Sequence, residues 1–510
     1  MCGVAGTLGV EEAAKEAFLG LITLQHRGQD AAGILSYDGS GFHTIKGLGL
    51  VESVFDREHM AQLPGMAAVA HTRYSTIGPS GAAGVAEVQP FLLSYPFGIA
   101  LAHNGQLINT EDLKQGLRAR RRRHLLTASD SEVLLNVFAD RLAEVTHESG
   151  ASEEPRFEER VQELREAVRS VYDTVDGSYS IVVYIAGYGL LAFRDPRGIR
   201  PLVWGRKKGG ALASGEAHMV ASESVALTFN GYTQYEDLKA GEFLFISEHE
   251  GRIHREVLTT PGARPCMFEW VYFASAESVL DGRSVYRARI GLGRALAANV
   301  KKAIEERGLK PDMVVPVPES ARLAAIALSE SLQVPYREVL IKNRYIKRTF
   351  ILGRASKRKE AVGLKLAPVR SEIEGKRVLL VDDSIVRGTT SIQLISLLRA
   401  AGAKEVYFVS GCPPIQSPCY YGIDFPDAEE LLAHGRTHAE IEKTLGADAV
   451  IYQDIEGLQR ALQDASLTEP STAEKFSPCT ACLDGNYPTR IDGAETLSTL
   501  RKRHRQGAGA

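Results

Sequence analysis

The chain has 510 residues, of which 44% are hydrophobic and 24% charged, with a formal net charge of −3. That length allows about two to four domains, and the balanced charge gives no strong pull towards nucleic acid or an anionic membrane. The start, MCGVAGTLGV, lacks the basic and apolar regions of a signal peptide, and no apolar run approaches the roughly 18 residues of a membrane span. A cytoplasmic location is expected, and the six cysteines are expected to serve catalysis or metal binding rather than disulfides.

In chain order, Cys2 comes first. Removal of Met1 would leave a cysteine whose own α-amine can act as general base for its thiol. Four islands follow: Gln25-His26-Arg27-Gly28-Gln29-Asp30-Ala31-Ala32-Gly33, His71-Thr72-Arg73-Tyr74-Ser75-Thr76, His103-Asn104-Gly105 and Ser129-Asp130-Ser131-Glu132. Taken singly they read as an Asn-Gly turn, a surface arginine and a helix N-cap. Together, in this order behind Cys-Gly, they resemble the glutamine amidotransferase domains of the N-terminal nucleophile (Ntn) hydrolases. The resemblance implies Cys2 as nucleophile, with Asn104 and the Gly105 N–H as the oxyanion site. It also implies Arg73 as the fork-shaped cation for the substrate carboxylate, and Asp130 as the partner of the substrate ammonium. Its αββα sandwich is expected over residues 2–258. One departure is Glu87-Val88, where the family usually has Asn-Ala before Gln89-Pro90-Phe91.

Within this part, the basic run RARRRRH from Arg118 to His124 is expected to be a solvated face or loop. The acidic stretch from Ser149 to Glu166 reads as a surface insert. Gly177-Ser178-Tyr179-Ser180 leads into an apolar strand. Arg194 to Leu202 reads as strand, turn, strand.

The character changes at Thr259-Thr260-Pro261-Gly262, a linker by composition. A helix is predicted from Val285 to Arg307, then a buried strand from Met313 to Val317 that ends in Pro318-Glu319-Ser320. Lys342 to Ile351, KNRYIKRTFI, concentrates cations suited to a pyrophosphate leaving group. KRVLLVDDSIVRGTT, from Lys376 to Thr390, is the most specific stretch. Val378 to Val381 is a strand, Asp382 and Asp383 follow, and Ser384, Arg387, Gly388, Thr389 and Thr390 open a helix that Gly402 stops. With the strand Val406–Val409 this makes a βαβ unit whose loop sits where ligands bind parallel sheets, at a helix N-terminus suited to phosphate.

That string resembles the phosphoribosyl-diphosphate (PRPP) motif of type I phosphoribosyltransferases, so an α/β domain of that fold is expected over residues 259–465. The resemblance implies that Asp382 and Asp383 contact the ribose and the loop holds its 5-phosphate. It also implies one Mg²⁺ at Ser320, Asp382 and Asp383, and a lid carrying Lys342 and Arg348. Here the chain departs from the family: Lys347 replaces a glycine, Gly353-Arg354-Ala355 a Pro-x-Gln, and Gly363 an arginine, while Arg358 and Lys365 survive.

Residues 466–510 are expected to form a C-terminal segment with the pair Cys479-Thr480-Ala481-Cys482 and a frayed basic tail, RKRHRQGAGA. With Cys266 in CMFEW and Cys419 in PCYYGID, the pair matches the iron–sulfur branch of the amidophosphoribosyltransferases. One [4Fe–4S] cluster on Cys266, Cys419, Cys479 and Cys482 is thereby implied. Zinc would suit four thiolates equally. Cys412 has no counterpart and reads as a buried small residue.

The combined resemblance implies a glutamine-dependent amidophosphoribosyltransferase that takes glutamine and PRPP, assembles as a homotetramer and is inhibited by purine nucleotides. Three alternatives remain: amination of another phosphosugar, a salvage phosphoribosyltransferase, or a non-enzymatic PRPP or nucleotide sensor.

Overall fold

The computed structural model describes residues 1–74, 82–148, 156–342, 366–425, 427–467 and 476–507. The N-terminal half is built on thirteen strands: β1 (Gly3–Leu8), β2 (Ala31–Tyr37), β3 (Phe42–Leu48), β4 (Ala67–Arg73), β5 (Phe91–Leu93), β6 (Ile99–Leu107), β7 (Gly177–Ile185), β8 (Gly189–Arg194), β9 (Val203–Lys208), β10 (Glu216–Ala221), β11 (Gln234–Asp237), β12 (Glu242–Ser247) and β13 (Ile253–Val257). They form two antiparallel sheets, in the orders β11-β9-β10-β1-β4-β2-β3 and β13-β12-β8-β7-β6-β5. Val4, Val69, Ala100, Val182, Leu190 and Leu244 fill the space between them. Helix α1 (Ala13–Thr23) covers the outer face of the first sheet, and α2 (Asp130–Glu148) and α3 (Phe157–Thr174) cover the second.

This is the expected αββα sandwich. It explains why β7, GSYSIVVYI, is buried along its whole length while the edge strand β3 is not. A strand covered on both faces needs a continuous apolar run rather than alternation.

The chain leaves β13 through the Thr259–Gly262 stretch. Two short antiparallel pairs follow, β14 (Val279–Leu280) with β15 (Arg283–Ser284), and β17 (Leu340–Lys342) with β18 (Leu366–Pro368). Between and after them lies a parallel sheet, β16 (Met313–Pro316), β19 (Arg377–Asp382), β20 (Glu405–Ser410) and β21 (Ala449–Tyr452), in that spatial order. Helices α4 (Val285–Arg307), α5 (Arg322–Leu332), α6 (Thr389–Ala400) and α7 (His438–Leu445) pack on it, and α8 (Ile455–Asp464) packs on α4. The long predicted helix has the expected bounds because its ends are marked. The Ser284 hydroxyl accepts from Arg287 N at 3.3 Å, and Gly308 turns left-handed at φ +66°.

The two halves share one apolar core. Leu21 and Leu24 beside the first sheet belong to the same cluster as Met267, Trp270, Leu292, Tyr421, Leu458 and Leu483. Residues 501–507 of the basic tail are helical rather than frayed. Helix α9 (Ala494–Gly507) extends into the basic tail, and Leu497 is buried. An apolar stripe upstream of Arg501 anchors the helix, a signal that reading the tail by charge alone overlooks. No helix among the described residues is long and apolar enough to cross a membrane.

Candidate active sites

Cys2, Arg73, Gly105 and Asp130 line one cavity of about 120 Å³. Cys2 stands just before β1, and Arg73 ends β4, whose Thr72 pairs with Gly3. Gly105 lies in β6 of the facing sheet, so the cavity spans the ends of both sheets. Gly28 packs so closely on β4 that a Cβ would stand 2.6 Å from the Arg73 carbonyl carbon and 2.7 Å from that of Thr72, so only glycine fits there. The Asp130 carboxylate accepts from Gln106 Nε2 at 2.9 Å and from Leu107 N at 3.0 Å. Asn104 is 1% exposed, and among the described residues neither atom of its side-chain amide has a hydrogen-bond partner. Asn104 does not itself line the cavity; its strand neighbours His103 and Gly105 do. Glu87, the departure from the usual pattern, accepts from Ala128 N at 2.9 Å and lines the cavity. Ser75 and Thr76 lie outside the described residues.

Sequence reasoning missed what holds Cys2. Arg27 Nε donates to the Cys2 carbonyl at 3.0 Å, while its Nη atoms reach Glu223 at 2.6 Å and Glu269 at 3.0 Å. Arg200 also reaches Glu269, at 3.2 Å. All four side chains are buried. Burial opposes the charge on Glu223, but His26 and Arg27 outweigh it and hold that carboxyl well below its usual range. Nothing in sequence pairs residues so far apart. A buried arginine in the QHRG island was the available hint. Leu497 and Leu500 of α9 also line the cavity, and neither was foreseen.

In the second half, Asp382 ends β19 and Asp383 follows it. The Ser320 and Ser384 hydroxyls donate to the two oxygens of Asp383, at 2.5 and 2.7 Å. Ser320, from the loop after β16, is thus brought onto Asp383. Burial, then the adjacent Asp383, pushes Asp382 well above the ordinary carboxylate range. Burial also raises Asp383, against the two serine hydroxyls and the guanidinium of Arg289. An acid pair that resists double ionisation is suited to a cation or to donor hydroxyls. Arg289, on α4, is another residue the sequence did not single out.

The following loop opens α6 with Gly388 at φ +76° and Thr389 and Thr390 in its first turn. Arg387 is half-buried and pairs with Glu430 at 2.9 Å and Asp424 at 3.4 Å. Lys342 is exposed at the end of β17, paired with Leu366 of β18. Arg348 and the lid departures at Lys347, Gly353, Arg354, Ala355 and Gly363, with Arg358 and Lys365, lie outside the described residues.

Cys266, Cys419, Cys479 and Cys482 are buried in one apolar cluster, and all are free thiols. Cys266 and Cys479 pair as a lone parallel bridge. The Gln416 and Ser417 N–H groups donate to the Cys482 carbonyl at 2.9 and 3.0 Å, drawing the Cys419 loop onto the C-terminal pair. Burial pushes the Cys266 thiol up to about 11 and raises Cys482 well above the ordinary thiol range. Among the described residues no three side chains stand in metal-ligand geometry, yet the donor chemistry fits a thiolate-held centre. Cys412 is fully buried, as expected, but in the same cluster, and an ionised Cys412 would weigh on Cys482.

Two domain families match the chain: the glutamine amidotransferase domain over residues 71–229 and the phosphoribosyl transferase domain over 287–416. Fold and sites therefore define a glutamine amidotransferase joined to a phosphoribosyltransferase. Among full-length relatives, the amidophosphoribosyltransferase of Pseudomonas aeruginosa is 44% identical over 490 residues, 96% of this chain and 93% of the relative. That of Escherichia coli is 42% identical over 505 residues, 98% and 96% of the two chains. The solved glutamine PRPP amidotransferase of B. subtilis, complexed with ADP and GMP, is 35% identical with a TM-score of 0.79, covering 96% of this chain and 98% of that one. The chain belongs to the amidophosphoribosyltransferase family, enzymes of purine biosynthesis.

Proposed function

We propose that the chain converts glutamine, PRPP and water into 5-phosphoribosylamine, pyrophosphate and glutamate, using both sites. The single cavity that gathers Cys2, Arg73, Gly105 and Asp130 supports this reading most directly. Cys2 attacks the side-chain amide carbon of glutamine. Asn104 and the Gly105 N–H stabilise the tetrahedral oxyanion, ammonia leaves as the C–N bond breaks, and water hydrolyses the thioester. Arg73 and Asp130 bind the α-carboxylate and α-ammonium.

Met1 is 2% exposed, and its amine is lowered to about 5, by burial first and also by Arg27 and Arg200. Removal of Met1 would free the Cys2 α-amine, the general base proposed for its own thiol.

Ammonia then displaces pyrophosphate at the anomeric carbon. Asp382 and Asp383 hold the ribose hydroxyls, and Ser384, Arg387, Gly388, Thr389 and Thr390 hold the 5-phosphate. Mg²⁺ at Ser320, Asp382 and Asp383 would neutralise charge on the departing pyrophosphate. Lys342, exposed at the end of β17, would add positive charge for the same leaving group.

Cys266, Cys419, Cys479 and Cys482 would hold a [4Fe–4S] cluster that fastens the C-terminal segment, with no redox step in the reaction. The nucleotide-bound B. subtilis relative supports a purine nucleotide site in this chain. The homotetramer rests on family resemblance alone.

The test is pyrophosphate release from PRPP and Mg²⁺ with glutamine or ammonia, in wild type and Cys2→Ala. The wild type should use both donors and the variant only ammonia. Intact, metal-replete protein that uses neither donor would refute the reading and favour a PRPP sensor.

A further inference from the structure

Arg73, Glu87, Glu111, Lys114 and Asp130 all line the glutamine cavity. Lys114 and Glu111 pair with each other at 2.8 Å, and Arg73 is the cation for the substrate carboxylate. Two carboxylates, Asp130 and Glu87, remain to receive the α-ammonium, a group with three N–H donors to satisfy.

Asp130 is already heavily used. Its Oδ2 accepts from Gln106 Nε2 at 2.9 Å and from Leu107 N at 3.0 Å, and its Oδ1 accepts from Ser131 Oγ at 3.4 Å. Glu87 is not. Among the described residues its carboxylate accepts one hydrogen bond, from Ala128 N to a single oxygen at 2.9 Å. Glu87 is nevertheless 6% exposed. A carboxylate has acceptor sites on both oxygens, and buried ones are normally filled. The space that Glu87 borders, and from which a donor could come, is the cavity itself.

The carboxylate is also held in register with the rest of the site. Glu87 N donates to the Gly84 carbonyl at 3.2 Å, and Arg73 Nη1 donates to that same carbonyl at 3.4 Å. Ala128 precedes Asp130 by two positions, so the bond from Ala128 N sets Glu87 against the turn that carries Asp130. Arg73, Glu87 and Asp130 are thereby tied into one framework.

We propose that Glu87 is a second acceptor for the α-ammonium of glutamine, shared with Asp130, and so a residue that selects α-amino-acid amides over amides without the amine. The proposal rests on the reading of this cavity as the glutamine site. The ammonium bears the same charge before and during attack on the distant amide carbon, so the contact contributes to binding and is felt in KM.

The experiment measures hydrolysis of L-glutamine and of 4-carbamoylbutanoate, which keeps the carboxylate and side-chain amide and lacks the amine. Wild type, Glu87→Gln and Glu87→Asp are compared, with ammonia-dependent pyrophosphate release as the control for the other site. Glu87→Gln keeps an oxygen for Ala128 N and puts an NH₂ where the second oxygen stood. Its KM for L-glutamine should rise about tenfold or more, the scale of one hydrogen bond to a charged group, with kcat within about threefold of wild type. Its kcat/KM for 4-carbamoylbutanoate should stay within about twofold, because the contact it loses is one that this amide never makes. Glu87→Asp keeps the charge and withdraws it by one CH₂, so it should lose part of the preference for L-glutamine. This variant carries the test should Glu87→Gln fold poorly.

The proposal is overturned if Glu87→Gln lowers kcat/KM for both amides by the same factor, which would mean that Glu87 only fastens the Ala128 turn. It is overturned equally if the L-glutamine KM stays at the wild-type value, or if the loss lies in kcat alone. Wild type that hydrolyses neither amide would instead refute the glutaminase reading beneath it.

Discussion

Asn104→Ala should separate catalysis from stability. The side chain is 1% exposed, and among the described residues both its polar atoms are unpartnered. A buried amide in that condition carries a desolvation penalty of about 1–3 kcal/mol. Truncation removes the penalty and leaves a small cavity costing on the order of 1–2 kcal/mol. The two terms nearly cancel, and the strand pairing of Asn104 with Ser180 is a backbone matter that survives. Stability should therefore stay within about 1 kcal/mol of wild type. The glutamine-dependent kcat should fall about 10²–10³-fold, equivalent to roughly 2.7–4 kcal/mol of lost oxyanion stabilisation. The ammonia-dependent rate should not change, because Asp382 and Asp383 belong to the other half. Steady-state assays with each nitrogen donor, beside a thermal melt, read all three quantities. A fall of both rates together, or a melt lowered by several degrees with the glutaminase intact, would refute the reasoning.

Three further outcomes are expected. Glu223→Gln leaves Arg27 short of an anion at full burial, so urea unfolding should show a loss of about 3–5 kcal/mol; a change below about 1 kcal/mol would mean the network is dispensable. Asp237 is raised from 3.8 to about 7, by burial first and then by Asp281. Its contribution to stability is full below about pH 4 and lost as pH rises through about 7. Asp237→Asn should flatten that part of the stability–pH curve, and an unchanged slope would count against the assignment. Anaerobically purified protein should carry about four irons per chain. Cys482→Ser should lose them and Cys412→Ser should keep them, whereas stoichiometric zinc in their place would sink the iron assignment.

The sequence alone determined those features whose physics is local. Asp382, Asp383 and the Ser384–Thr390 loop lie side by side in the chain, so strand, acids and helix N-terminus could be read together. The helix from Val285 to Arg307 was legible from its periodicity, and the structure adds the Ser284 cap and the left-handed Gly308 that fix its ends. The four N-terminal islands were legible by order and resemblance, although each alone was ambiguous.

Only the tertiary structure decided how the pieces meet. Arg27 is separated from Glu223 by 196 positions and from Glu269 by 242, and no periodic pattern encodes an ion pair across such a gap. Gly422 packs so closely on Gly105 that a Cβ would stand 2.9 Å from its carbonyl oxygen, a contact made by the absence of side chains, which leaves no chemical signature in sequence. Leu497 reads as one more apolar residue until α9 folds over the glutamine cavity. Such contacts follow from how the two halves dock around a shared core. Docking depends on the shape of packed surfaces rather than on the composition of any one segment.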